Sequence, residues 1–229
     1  MNNIKEYITE KLKINKDIKV KEYNYYPKDK DELESLINKL IKERGKNADL
    51  NDINVSNITD MSKLFINLDP HNIDISEWNV SNVENMKRMF DNCKNFNSDI
   101  SNWNVSNVKN MTQMFNGCKN LNSDLSNWDV SNVKDMRLMF YDCEKFNSDL
   151  SKWNVSNVKD MAGIFYNCEN FNSDLSKWDV SNVTNMESMF YNCENFNSDL
   201  NKWDVSNVKD MHFIFRKCNS LKNKPSWYK

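Results

Sequence analysis

The stretch DLSNWDVSNVKDMRLMFYDCEKFNS, residues 124–148, decides the fold, because closely similar stretches of equal length follow one another along most of the chain. Its tryptophan and its cysteine each recur at intervals of 25 residues. The tryptophans in this register are Trp78, Trp103, Trp128, Trp153, Trp178 and Trp203. A fixed period of a few tens of residues is typical of proteins whose repeats stack on one another, because one repeat cannot bury its own apolar side chains.

The apolar pattern changes its period inside the repeat. Leu125, Trp128 and Val130 open it, and the last two alternate with Asp129 as in a strand. The second half has apolar residues at helical spacing, namely Val133, Met136, Met139, Phe140 and Cys143. Asn132 precedes them where a helix N-cap belongs. Each repeat is therefore predicted to be a short strand, a helical segment and a return.

This pattern predicts an α/β solenoid of seven 25-residue coils, with a parallel sheet on one face and short helical segments on the other. The coils are placed at residues 49–221. In the first of them Ile53 takes the tryptophan position, as expected for a degraded end repeat. Residues 1–48 are predicted to form an N-terminal helical cap, and residues 222–229 a C-terminal cap in which Trp227 covers the last core layer.

The N-terminal cap is predicted to contain one well-defined helix, over about 29–44. Asp29 and Glu32 form a capping box at its start, and Gly45 is a natural C-cap. Upstream, Ile4 to Leu12 suggest a shorter amphipathic helix. Ile18, Val20 and residues 23–26 suggest a strand.

The repeat resembles that of a known family. The pattern L-x-x-W-x-V-x-x-V-x-x-M-x-x-M-F-x-x-C-x-x-F over residues 49–221 resembles the repeats of BspA-type bacterial surface proteins, in a 25-residue branch with the motif W-D/N-V-S-N-V-x-D/N-M-x-x-M-F. The resemblance implies a leucine-rich-repeat-like fold and a role in adhesion or surface display. It also implies a cell-surface or secreted location, although the first residues, MNNIKEYITEKLKINK, lack the apolar core of a signal peptide. A cytoplasmic location is the alternative.

The sequence gives no support for catalysis or a cofactor. Only 3 glycines are present, whereas phosphate loops and oxyanion turns need them. Each Asp in the repeats has copies in neighbouring coils, which favours a structural role, so no catalytic residue is predicted. The cysteines lack the C-x-x-C spacing of zinc sites and occupy the apolar stripe, so we interpret them as free buried thiols. The Asn-Ser-Asp turns allow a calcium interpretation, but backbone capping explains them better.

Charge and hydropathy limit the partners. The formal net charge is −2, which gives no signature for nucleic acid. No segment has the length and apolarity of a membrane span, so no membrane insertion is expected. A protein partner is predicted, and a monomer is favoured over an obligate oligomer.

The positions on either side of the repeated tryptophan are the best candidates for a binding face, because solenoids commonly bind along an exposed sheet. The candidate residues are Asn102, Asn127, Asp129, Lys152, Asn154, Lys177, Asp179, Lys202 and Asp204. They predict a non-enzymatic module for protein binding or adhesion. A solvated surface with no ligand is the other interpretation of this face. The alternative function is an intracellular structural scaffold or a protein-interaction module without a surface role.

Overall fold

Helix α1, Lys30–Arg44, is the single helix in the part of the chain that the structure describes, residues 21–66, 68 and 70–229 of a computed structural model. The Asp29 side chain accepts a 2.9 Å hydrogen bond from the Glu32 N–H, which caps the first turn. Gly45, at φ 86°, donates its N–H to the Ile41 carbonyl and ends the helix. The predicted helix is therefore confirmed. The amphipathic segment from Ile4 to Leu12 lies outside the described residues.

The 25-residue coils stack in register, so that each residue lies over its counterpart in the next coil. Coils 1 to 7 begin at residues 49, 74, 99, 124, 149, 174 and 199. Isolated parallel bridges join each coil to the next. The bridged pairs at one repeated position are Asp60 with Asn85, Asn85 with Asn110, Asn110 with Asp135, Asp135 with Asp160, Asp160 with Asn185 and Asn185 with Asp210, and a second bridge, from Asp49 to Asp74, joins coils 1 and 2. We call the set of residues at one position of successive coils a column.

The core consists of columns of identical side chains. The Trp103 and Trp128 rings are 6.5 Å apart and within 3° of parallel, and Phe140 and Phe165 are 5.8 Å apart and within 1°. The repeated Trp, Phe and Met residues of coils 2 to 6 are buried throughout. The predicted assignment of these residues to the core is confirmed. Helix α1 adds Leu33, Ile37 and Leu40 to the same core at the N-terminal end.

The predicted parallel sheet is wrong, and the leucine-rich-repeat-like α/β solenoid is wrong with it. In the described residues the pairing between coils consists of isolated bridges, and no strand forms at Trp128–Val130. The backbone there closes into a turn, with the Trp128 N–H donating to the Leu125 carbonyl at 3.1 Å. Leu125 itself is held by two side chains: its N–H donates to Ser148 Oγ at the end of its own coil, and its carbonyl accepts from the Trp153 indole of the next coil. Side chains thus occupy the groups that a sheet would pair.

The predicted helical segments are also absent from the coils, as far as the structure describes them. In coil 4, the Met139 N–H donates to the Met136 carbonyl three residues back, which closes a tight turn. The intervening N–H groups leave the coil, and the Leu138 N–H reaches the Ala162 carbonyl of the next coil at 2.9 Å. Leu138 has φ 55° and Asp142 has φ 56°, which a right-handed helix excludes. Successive turns give the same apolar spacing as a helix, and the spacing was therefore misinterpreted.

Three side chains of each coil, including the tryptophan already described, donate hydrogen bonds to the backbone of the preceding coil. The Trp153 indole N–H, the Asn157 amide and the Cys168 thiol donate to the carbonyls of Leu125, Ser131 and Phe140, at 3.0, 2.7 and 2.9 Å. The equivalent of Asn157 in coil 4 is Asn132, so the predicted N-cap role of Asn132 is wrong as well. These bonds recur along the stack, which means that polar groups, and not only apolar contacts, set the stacking register.

The C-terminal residues extend the tryptophan column by one ring. Trp227 stacks on Trp203 at 6.4 Å, and its indole N–H donates to the Leu200 carbonyl at 2.8 Å. The prediction that Trp227 covers the last core layer is confirmed. At the other end Tyr25 forms a single parallel bridge with Ile53, where a strand over residues 23–26 was expected. The Ile18 and Val20 portion of that prediction lies outside the described residues.

Candidate binding surface

The nine residues predicted for the binding face are all exposed to solvent. They form two columns that flank the buried tryptophan column, one containing Asn102, Asn127, Lys152, Lys177 and Lys202, the other Asp129, Asn154, Asp179 and Asp204. Although no sheet supports them, the stacking in register brings them onto one side of the array. We call this surface the lateral face.

The Asn and Asp column of the lateral face has a role in the fold. The Asp129 and Asp179 carboxylates each accept a 3.0 Å hydrogen bond from the backbone N–H two residues later. Asn154 makes the same contact with the Ser156 N–H at 3.2 Å. Hydrogen bonds from the Ser131 side chain and backbone lower the pKa of Asp129 below its usual value. These side chains therefore hold tight turns, and one oxygen of each is already engaged.

The lysine column has no such role. Lys152, Lys177 and Lys202 make no hydrogen bond and no salt bridge with any residue of the described ranges, and all three are exposed. Each lysine lies three residues after an aspartate that holds a turn. Its charge contributes to lowering the pKa of that carboxyl, although the hydrogen bonds of the turn contribute more. The ammonium groups are therefore available to a ligand.

Two polar hollows lie beside this lysine column, between successive coils. The first, of about 430 Å³, is lined by Asn147, Ser148, Asp149, Ser151, Asn172, Ser173, Asp174 and Lys177. The second, of about 440 Å³, is lined by the equivalent residues one coil later, Asn172, Ser173, Asp174, Ser176, Asn197, Ser198, Asp199 and Lys202. Both contain amides, hydroxyls, carboxylates and one ammonium group, and no aromatic ring. Such a lining suits a polar or charged ligand.

Buried serines at the base of the hollows hold the backbone by hydrogen bonds. Ser148 and Ser173 are buried, and their hydroxyls accept hydrogen bonds of 2.8 Å from the N–H groups of Leu125 and Leu150. The expectation that the Asn-Ser-Asp turns serve the backbone is confirmed by these bonds. Their place beside the lysines was not predicted. The constant interval of three residues between Asp149 and Lys152, repeated in each of the last three coils, was the signal for it.

A further column, away from the lateral face, consists of tyrosines. The rings of Tyr141, Tyr166 and Tyr191 stack at 4.5 Å, within 10° of parallel, and are half-buried. The ammonium group of Lys217 lies 5.5 Å from the centroid of the Tyr191 ring, within the range of a cation–π contact. This column was not predicted, although its 25-residue spacing is visible in the sequence.

The six cysteines, all within the described residues, are not joined by disulfides, and those of coils 2 to 6 are buried. Burial raises the pKa of Cys143, Cys168 and Cys193 well above the ordinary value, and that of the less buried Cys218 to about 12. They remain protonated at neutral pH, which is what donation from sulfur to a carbonyl requires. The interpretation of these residues as free buried thiols is confirmed. Among the described residues, no three His, Cys, Asp or Glu side chains converge to hold a metal ion.

Comparison with known families gives one match. A family model described as "Mycoplasma protein of unknown function, DUF285" matches residues 33–151 and again residues 118–228. The chain belongs to the DUF285 family. The two DUF285 matches together include most of α1 and all seven coils, which agrees with a repeat protein. They do not identify the chain as a BspA-type protein.

No curated protein and no solved structure matches the DUF285 chain. The part of the chain that the structure describes also contains no helix long and apolar enough to cross a membrane.

Proposed function

We propose that this chain is a non-enzymatic protein-binding module that engages its partner through the lateral face. The observation that carries the proposal is the column of Lys152, Lys177 and Lys202, three exposed ammonium groups without hydrogen bonds or salt bridges in the described ranges. Identical groups at a constant spacing suit a partner with several contact points. Because each pair is weak at an exposed site, binding depends on their number.

The surrounding turns support the same proposal. Asp149 and Asp174 each accept the N–H two residues later at 2.9 Å, so the backbone beside each lysine is fixed before a partner arrives. A preformed surface loses less conformational entropy on binding. The resemblance of the repeat to BspA-type surface proteins supports adhesion as the setting for this binding.

Charge reversal tests the lateral face. We expect the triple variant Lys152→Glu, Lys177→Glu and Lys202→Glu to keep the wild-type circular dichroism spectrum and a urea midpoint close to that of the wild type, because the three side chains make no hydrogen bond or salt bridge in the described ranges. Capture of partner proteins by the immobilised variant is expected to fall at least about tenfold, as the loss of several exposed pairs implies.

A matched control is available in another exposed column. The variant Lys109→Glu, Lys134→Glu and Lys159→Glu makes the same change of charge at exposed positions of coils 3 to 5, and it breaks one exposed salt bridge, from Lys109 to Glu84. It is expected to capture the same partners as the wild type. Equal loss in both variants would indicate a non-specific charge effect, and equal binding by both would overturn the assignment of the lateral face. An intracellular scaffold without a ligand on the lateral face would give equal binding by both variants.

A further inference from the structure

The spacing between successive coils differs between the tryptophan side and the tyrosine side of the array. Where equivalent side chains have the same conformation, the distance between their ring centroids equals the displacement from one coil to the next at that place. This displacement is 6.5 Å in the tryptophan column, 5.8 Å in the phenylalanine column and 4.5 Å in the tyrosine column. The pairs measured are Trp103 with Trp128, Phe140 with Phe165 and Tyr141 with Tyr166, and each is parallel to within 10°.

This difference curves the array toward the tyrosines. A twist about the long axis would lengthen the spacing of every column at the surface, and the tyrosines are half-buried surface residues with the shortest spacing of the three columns. In the buried phenylalanine column the spacing stays between 5.6 and 5.8 Å from Phe90 to Phe190, so coils 2 to 6 stack uniformly. The tyrosines therefore lie on the concave side. Repeat proteins use their concave surfaces for binding.

A column of glutamates accompanies the tyrosines in the same three coils. Glu144, Glu169 and Glu194 each follow a tyrosine by three residues, between a buried cysteine and a buried phenylalanine. Glu169 and Glu194 are exposed, and neither forms a salt bridge or a side-chain hydrogen bond within the described residues. The next position has one basic residue in these coils, Lys145, and asparagine in the other two. We call the three tyrosines and the three glutamates the tyrosine face.

Two lysines of the chain itself indicate which groups the tyrosine face accepts. At one end, the Lys119 ammonium group of coil 3 forms a 2.5 Å salt bridge with Glu144. At the other end, the Lys217 ammonium group of coil 7 lies 5.5 Å from the centroid of the Tyr191 ring. Ammonium groups thus occupy both ends of the face. The two glutamates between them have no such partner in the part of the chain that the structure describes.

The charges of the glutamate column restrict the occupant. In coils 2 and 3 the column contains Lys94 and Lys119, so a second copy of the chain offers lysines of its own. Lys119 is already engaged by Glu144, however. A two-fold contact that places Lys94 against Glu194 also places Glu144 against its own counterpart, because coil 4 lies midway between coils 2 and 6. A basic segment of another protein meets no such repulsion.

We propose that the tyrosine face binds a segment of a partner protein that contains several lysine or arginine residues. Their charged groups pair with Glu169 and Glu194, and their apolar stems pack against the tyrosines, which are frequent at protein interfaces. Because the tyrosine rings cover one another's faces, the segment contacts ring edges and hydroxyls. This site is separate from the lateral face and does not depend on it.

NMR on the full chain at low ionic strength tests the proposal, since salt screens exposed charges. The probe is an acetylated, amidated octapeptide of alternating lysine and serine, and the control peptide replaces lysine with glutamate. We expect the lysine peptide to shift the ring signals of Tyr166 and Tyr191 and the amide signals of Glu169 and Glu194. Signals of the lateral face are expected to stay unchanged. The glutamate peptide is expected to bind at least about tenfold more weakly.

Charge reversal provides a second test. The double variant Glu169→Lys and Glu194→Lys is expected to keep the wild-type circular dichroism spectrum and to bind the lysine peptide about tenfold more weakly, because two attractive contacts become repulsive. The matched control is Glu22→Lys with Glu187→Lys, which makes the same change of charge at two exposed glutamates outside the tyrosine face. It is expected to bind within about twofold of the wild type, since distant exposed charges are screened.

Four results would overturn the proposal. They are the absence of binding by the lysine peptide, equal binding of the two peptides, shifts confined to residues outside the tyrosine face, and equal losses in the two double variants. Sedimentation covers the remaining occupant. If the wild type self-associates and the variant of Glu169 and Glu194 does not, the tyrosine face belongs to a second copy of the chain, and the proposal of a basic partner segment is wrong.

Discussion

The indole N–H of Trp153 donates a 3.0 Å hydrogen bond to the backbone carbonyl of Leu125, which lies one coil earlier. Trp153 is only 4% exposed, so water does not replace this bond easily. The same contact recurs from Trp78 to Trp203. The tryptophan column thus joins coils by a polar bond as well as by ring packing.

Replacing the indole with a phenyl ring tests the polar part of this contact. Trp153→Phe retains an aromatic ring in the stack but removes the indole donor, so that the Leu125 carbonyl keeps only the Trp128 N–H. We expect a loss of about 1 kcal/mol in the free energy of unfolding, the net contribution of one hydrogen bond, measured by urea denaturation. Trp227→Phe is the control, and it should cost less because Trp227 and its hydrogen bond to Leu200 are only partly buried. Equal losses in the two variants would contradict a role for the buried bond.

Two asparagines of coil 5 distinguish donating from accepting side chains. Asn157 donates its amide to the Ser131 carbonyl at 2.7 Å, whereas Asn154 accepts from the Ser156 N–H at 3.2 Å. Asn157→Asp places a carboxylate oxygen against a carbonyl oxygen, so we expect it to destabilise the fold by about 1 kcal/mol.

Asn154→Asp is the matched variant in the same coil, and it retains the acceptor. It should leave the urea midpoint at pH 7 nearly unchanged. If Asn157 were a helix N-cap, aspartate would serve there as well as asparagine, and both variants would be neutral.

The buried thiols predict a loss of stability at alkaline pH. Burial raises the pKa of Cys168 above its ordinary value of 9.0. The folded state therefore holds the proton more tightly than the unfolded state, and this contribution is complete below pH 9 and is lost as the pH rises above it. The slope from one such group is about 1.4 kcal/mol per pH unit.

Urea denaturation between pH 8 and pH 11 measures this effect. Cys168→Ala is expected to show a shallower fall than the wild type by about that slope, whatever the two stabilities are at pH 8. Cys218, whose pKa is raised to about 12 and which is less buried, should be the first thiol to react with an aromatic disulfide reagent. Parallel pH profiles for wild type and Cys168→Ala would rule out the proposed thiol contribution.

One exposed aromatic residue lies in an unfavourable backbone conformation. Phe213 has φ 58° and is 52% exposed, so its ring gains little from burial while its backbone remains in the left-handed region. Phe213→Asn is expected to raise the free energy of unfolding by about 1 kcal/mol, because asparagine tolerates this region. Phe213→Ala removes the same ring without that relief and should give no comparable gain. A gain of equal size from alanine would assign the effect to the ring, which lies 5.2 Å from the Arg216 guanidinium.

Part of the candidate site was predictable. The exposure of the columns beside the tryptophans follows from their alternation with buried residues, as at Lys152 and Asn154. The turn-holding role of Asp129 and its equivalents was not predicted, because it depends on an N–H two residues away that a strand would have directed elsewhere. The hollows were not predicted either, since their walls come from two coils.

The amino-acid sequence by itself determined the 25-residue period, the identity of the core columns and helix α1, because burial periodicity and helix capping are local properties. The tertiary structure decided how each coil is built. Whether the Leu138 N–H bonds within its own coil or to Ala162, and whether Leu125 pairs with backbone or with Trp153, depends on contacts between residues 23 to 28 positions apart. The spacing of apolar residues is equally compatible with a helix and with successive turns. Only the stacked neighbour, which supplies the acceptors and donors, selects between them.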